Sequence, residues 1–188
     1  GHKNDLKSSV FTSLDNIVFF KEKPDNGKYI KIAGLFKTQR VYRWIKADYI
    51  RTPDNFMFYK VLLPKSNGSP AISSGKITSI IGTPFIGQPY TGHTQTFISI
   101  GKLSNEQEAN AVLKYIKTQF VRSLLGILKV TQDNPPEKWK HVPLQDFTAN
   151  SDIDWSRSVA EIDRQLYAKY GLDDNEIAFI ESHVKEMK

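Results

Sequence analysis

Cysteine is absent from the 188-residue chain. That excludes a disulfide framework, a thiolate zinc site and a cysteine nucleophile. No apolar run approaches the roughly 18–20 residues of a bilayer-spanning helix, so no membrane span is expected. Histidine is scarce: His93, His141 and His183 stand far apart with no ligand spacing, and His2 lies at the start. No metal centre is expected from them. The sequence also lacks G-x-G-x-x-G and the Walker A pattern. Gly82, Gly87 and Gly92 fall among turn prolines, where loop geometry accounts for them. A magnesium-dependent nuclease needs clustered carboxylates and a nearby lysine. Asp25 and Asp54 have no downstream acid-x-Lys at workable distance, and Glu186-Met187-Lys188 has that shape only at the chain end.

What is present describes a folded protein. A hydrophobic content of 39% with 12% aromatics is too rich for a disordered chain. The length suits one domain, or one domain with a small appendage, and folding at that size hides roughly 70% of the surface. The chain opens Gly1-His2-Lys3 without methionine or a signal-peptide core. Gly1-His2 reads as a cloning remnant, residues 1–16 as a leader, and the whole as a piece of a larger protein. The cytoplasm is the expected compartment.

Charge is unevenly distributed. Residues 1–100 carry 14 Lys/Arg against 6 Asp/Glu, a balance of +8, whereas residues 101–188 carry 12 against 14, a balance of −2. Between Lys21 and Lys65 eleven cations oppose only Glu22, Asp25, Asp48 and Asp54. Such asymmetry suggests a polyanion partner for the first half, the alternative being a plain solvated face. Tyr29, Phe36, Gln39, Tyr42, Trp44 and Tyr49 interleave with the cations, and most of the rings read as core-facing strand residues. Arg and Gln read base edges, while Lys serves phosphates.

Residues 17–20 read as a strand. Pro24-Asp25-Asn26-Gly27 is a turn signal that would join it to a second strand near 29–35 as a hairpin. Residues 41–50 read as a third strand, and the dense run 56–63 as a buried central one ended by Pro64. Residues 65–75 form a loop long enough to be functional. Residues 77–81 and 96–100 are further strands, with turns between them. Ser104, with Gln107 three residues on, predicts an N-capped helix over 105–129, apolar at Ala109, Val112, Ile116, Phe120, Val121, Leu124 and Leu128. A helix near 156–170 stops at Gly171. Asp173 and Glu176 then cap a last helix with Ile177, Phe179, Ile180 and Val184 as its apolar face. Strands followed by helices give an α+β fold. Its β region, twisted and mostly antiparallel over about 17–100, packs on one long helix, and a C-terminal helical pair follows. Residues 17–148 form the main domain and 149–188 the helical appendage.

Asp133-Asn134-Pro135-Pro136 is similar to the Asn/Asp-Pro-Pro-aromatic motif with which amino-methylating DNA enzymes grip a flipped base. Here Glu137 stands where the ring is needed, and the nearest ring is Trp139. No glycine-rich loop for a methyl donor precedes it, so the segment reads as a helix-stopping turn.

Four stretches carry a family resemblance: T-Q-T-F-I-S-I-G (94–101), E-Q-E-A-N-A-V-L-K-Y-I-K-T-Q-F-V-R-S-L-L (106–125), K-V-T-Q-D-N-P-P-E-K-W-K-H-V-P-L-Q-D-F-T (129–148) and I-D-R-Q-L-Y-A-K-Y-G-L-D-D-N-E-I-A-F-I-E (162–181). Together with Y-K-V-L-L-P-K (59–65) they resemble the C-terminal target-recognition domain of bacterial restriction–modification proteins. These are adenine-specific DNA methyltransferases, some fused to a nuclease. The domain is similar in kind to those of type I specificity subunits. The likeness spans about 30–187 and is most specific over 142–148 and 166–180. It implies a module that reads double-stranded DNA and positions it for methylation, or cleavage, by an upstream catalytic domain of the same parent. S-adenosylmethionine, and magnesium for a fused nuclease, would belong to that parent; this chain is expected to hold no cofactor and no catalytic residue.

DNA-reading positions vary within the family, so the resemblance transfers no base contact. The charge pattern selects the candidates instead. Lys37, Gln39, Arg40, Arg43 and Lys46 are expected to line the DNA face, and Lys60, Lys65 and Lys76 to meet phosphates, with the 65–75 loop entering a groove. Gln39, Arg40 and Gln95 are the expected base readers. Two other classes stay open: a protein-interaction module whose acidic C-terminal helices dock on a catalytic partner, and a stand-alone nuclease or methyltransferase.

Overall fold

A computed structural model of the chain describes residues 6–67, 75–127, 133 and 136–187. The fold is α+β, with two small sheets and helices after the strands. Strands β1 (Tyr29–Phe36) and β2 (Gln39–Lys46) form an antiparallel hairpin in unbroken register from Tyr29 opposite Lys46 to Phe36 opposite Gln39. Lys37 and Thr38 make the two-residue turn, with φ of 47° and 68°. Left-handed backbone at both positions suits the right-handed twist of the flanking strands.

This corrects the expected hairpin. Residues 17–20 do not pair with 29–35, because both edges of β1 are taken. One is held by β2, the other by the parallel β5 (Thr91–His93). Phe20 instead bonds Trp44 on the outer edge of β2, at 2.9 and 2.8 Å. The helical turn α1 (Val10–Ser13) and Phe19 cover one face of the hairpin, burying Phe11 and Phe19 against Ile32 and Ile45. Gly34 admits this packing, since a Cβ there would press into the Phe11 ring.

The second sheet has β3 (Tyr59–Pro64) between β4 (Phe85–Gly87) and β6 (Phe97–Leu103), all antiparallel. Both faces of β3 are covered, which explains its unbroken apolar run. Val61 and Leu63 enter the main core with the helices, while Leu62 joins Ala33 and Phe97 between the two sheets. Residues 77–81 are not a strand. Thr78 makes a lone bridge to Val184, and Ile80 and Ile81 are buried in the main core.

The long helix is two helices, α2 (Glu106–Lys117) and α3 (Gln119–Ile127). Asn105, not Ser104, caps α2, accepting from Glu108 N at 2.8 Å while the Glu108 carboxylate accepts from Ser104 N at 3.0 Å. The break at Thr118 has a distant cause. The Asp163 carboxylate, on α5 (Val159–Tyr170), accepts from the backbone N–H of Gln119 and of Phe120, each at 2.9 Å. Burial raises Asp163 to about 6 and lowers the neighbouring Arg122 to about 10. Arg122 is fully buried and donates to the carbonyls of Lys117, Thr118 and Lys185.

Between α3 and the C-terminal helices the chain makes one turn of helix, α4 (Pro136–Trp139). Capping boxes start both last helices, Ser158 with Glu161 on α5 and Asp173 with Glu176 on α6 (Asp174–His183). Gly171 ends α5 in the left-handed region at φ 66°. Residues from both sides of position 148, among them Val112, Ile116, Leu166 and Ile180, share the main core. On the last helix Ile180 and Val184 are buried, whereas Phe179 is half-exposed and stacks on His183. Most of the 65–75 loop, the end of the 105–129 helix and Asn134-Pro135 lie outside the described residues.

Candidate nucleic-acid interface

Residues 26–47 contain Lys28, Lys31, Lys37, Arg40, Arg43 and Lys46 and not one carboxylate. The strand period of two sorts them. Ile30, Ile32, Arg43 and Ile45 face the small core, while Tyr29, Lys31, Tyr42, Trp44 and Lys46 share the opposite face. On that face the Lys31 ammonium stands 4.7 Å from the Tyr42 ring centre and 5.9 Å from that of Trp44. The Lys23 ammonium stands 5.8 Å from the Trp44 ring centre. These are cation–π distances, and they hold ammonium heads over rings at the surface. Tyr42 is exposed, which corrects the expectation that the strand aromatics face the core.

Nearer the turn the same face closes on the second sheet through Ala33 and Leu35. Arg40 continues this contact, its guanidinium stacked 3.9 Å from the centre of the Phe85 ring. That stacking fixes the plane of the group while the residue stays exposed. Lys37 and Gln39 are exposed beside it. Lys46 is exposed at the other end of the hairpin, seven residues or about 23 Å along the strand.

Two of the nine candidates are withdrawn from the surface. Arg43 is buried, donates from Nε to Asp15 Oδ1 at 2.9 Å and is neutralised there. Lys60 is 1% exposed, and its ammonium donates to the carbonyls of Asn55, Phe56 and Phe58 at 3.2, 3.2 and 2.9 Å. Burial lowers it to about 8. Its work is to fasten the 55–58 turn to β3, not to meet a phosphate. A lysine inside an unbroken apolar run was the signal that could have revealed this. Lys76 is exposed two residues before Thr78, on the segment that pairs with the C-terminal residues rather than with the hairpin.

The remaining pair, Lys65 and Gln95, converges on a cavity of about 580 Å³ between the β5 edge of the first sheet and the second sheet. Arg51, His93 and Lys60 also line it, and none of its lining residues is Asp or Glu. In the sequence Arg51 is one of eleven cations between 21 and 65, and nothing near it singles it out. Only the fold brings residues 51, 65 and 95 to one cavity.

Among the described residues no three His, Cys, Asp or Glu side chains come together to hold a metal ion, and no helix is long and apolar enough to cross a membrane. The chain matches no protein-family model, no curated protein and no solved structure.

Proposed function

We propose that the chain is a double-stranded-DNA-reading module of a restriction–modification enzyme, and that the β1–β2 hairpin is its contact element. The observation that carries this reading is the acid-free hairpin. It supports four cations outside the core, Lys31, Lys37, Arg40 and Lys46, and its tip presents Lys37, Gln39 and Arg40. Beyond the β5 pairing at Lys31–Ala33 the hairpin is two-stranded, and a two-stranded ribbon is of the width that enters a major groove. Gln39 and Arg40 are then the base readers, with Arg40 held in plane by Phe85. Lys23, Lys31 and Lys46 follow the phosphates. The sequence resemblance supplies the rest of the proposal: a separate catalytic domain of the parent, carrying its own S-adenosylmethionine and, where a nuclease is fused, magnesium, acts on an adenine that this module positions.

Fluorescence anisotropy with a labelled duplex across a salt series tests the reading. Neutralising about five phosphates gives a slope near −4 to −5 in log K against log salt. Arg40→Ala is expected to lose roughly 1–3 kcal/mol of discrimination at one base pair. A flat salt response, or wild-type affinity and discrimination in the Arg40 variant, would contradict it.

A further inference from the structure

We infer that the cavity between the two sheets is a nucleotide pocket, with Arg51 and Lys65 as its phosphate ligands. The inference stands apart from the hairpin, and it would survive if the hairpin bound no DNA.

Three observations carry it. The first is size: about 580 Å³ lies within the 300–1,000 Å³ range of small-ligand sites. The second is charge. Arg51 and Lys65 are both exposed at the cavity, neither has a carboxylate partner among the described residues, and no acid lines the wall. Unpaired cations gathered around a concavity without a counter-charge concentrate the field inside it, which favours an anion. Lys60 adds to this field from beneath, although its donors are already spent on three carbonyls. The third is the division of the lining. Ile32, Phe56, Phe97 and Ile98 make an apolar floor beside the cationic rim. Phe56 is held in place by an edge contact with Tyr90, ring centres 5.9 Å apart. A bare inorganic anion would have no use for that floor. A nucleoside phosphate matches both parts, its base on the apolar wall and its phosphate between the two cations.

The phosphate ester could be a nucleotide of the DNA strand itself or a free mononucleotide, and the experiment separates these sources. Deoxyadenosine 5′-monophosphate is titrated into the full isotope-labelled chain and followed by amide and methyl shifts. Binding in the millimolar range or tighter is expected, with shifts at residues 51, 65 and 95 and at the Ile32 and Ile98 methyls. Deoxyadenosine without phosphate should bind more weakly. Arg51→Ala and Lys65→Ala should each weaken the nucleotide roughly tenfold, as for loss of one charge-assisted hydrogen bond. Lys140→Ala, an exposed cation outside the cavity, should leave it unchanged. Because both cations are exposed, folding of the variants can be confirmed by circular dichroism. If duplex DNA displaces the nucleotide, and the two substitutions weaken the duplex as well, the strand is the source. If duplex and nucleotide bind together and only the nucleotide is weakened, the ligand is free. Shifts confined to the hairpin, no shifts at millimolar nucleotide, or equal loss in the Lys140 variant would overturn the inference.

Discussion

Asp163 lies at the join of α2 and α3, and replacing it with asparagine separates two opposing effects. The carboxylate accepts two backbone N–H groups at the start of α3, which favours its charge. It is also 3% exposed, and desolvation disfavours that charge more strongly, raising its pKa from 3.8 to about 6. A folded-state pKa above the unfolded one means that the native state holds its proton longer. Stability therefore falls as pH rises between 3.8 and about 6, and the loss is complete above that window. At 1.36 kcal/mol for each tenfold change in proton affinity, this rise is worth about 3 kcal/mol. Asparagine cannot ionise, but its single acceptor oxygen serves only one of the two backbone N–H groups and its NH2 faces the other. Asp163→Asn should therefore be less stable than wild type near pH 4 by about 1–3 kcal/mol for the lost hydrogen bond. This difference should move in the variant's favour by about 3 kcal/mol between pH 4 and pH 7, because only wild type loses stability across that window. Urea denaturation of both proteins at matched ionic strength measures the difference directly, and other titrating groups cancel. Should the difference stay constant, or move in wild type's favour, as pH rises from 4 to 7, the two hydrogen bonds and the Arg122 charge outweigh burial, and the reasoning fails.

Lys60→Met tests the claim that this lysine is structural. It leaves the carbonyls of Asn55, Phe56 and Phe58 without their donor, and a loss of about 2–3 kcal/mol is expected in urea denaturation, with faster amide exchange across residues 55–58. Unchanged stability accompanied by weaker duplex binding would return Lys60 to the role of a phosphate contact.

Much of the architecture is local and therefore readable. Asp173 with Glu176 at the start of α6, and Gly171 at the end of α5, act on partners within a few residues, so the helical ends were legible. The apolar run through β3 also marked a strand buried on both faces. The candidate site was half legible. The cation-rich stretch from Lys21 to Lys65 contained the hairpin without revealing its pairing, and Lys37, Gln39, Arg40 and Lys46 do reach its surface. Which cations are free was not legible. Arg43 meets a carboxylate 28 positions earlier, and nothing in the sequence near 43 announces Asp15. The turn at Lys37-Thr38 carries neither glycine nor asparagine, while Asp25-Asn26-Gly27 advertises a hairpin that the pairing of β1 on both sides forbids.

The composition and order of residues set the class of the protein: an α+β chain with a cationic front half and capped helices behind it. Those properties follow from charge counts and from interactions a few residues long. Folding settled everything that depends on distant neighbours. It split one amphipathic stripe at Thr118 because a carboxylate 44 positions away claims two of its amides. It sank Lys60, lifted Tyr42 to the surface, and placed Arg51, Lys65 and Gln95 around one cavity. The physical reason is the same in each case. A side chain's exposure and its counter-charge are properties of what packs against it, and here that packing comes from parts of the chain far removed in sequence.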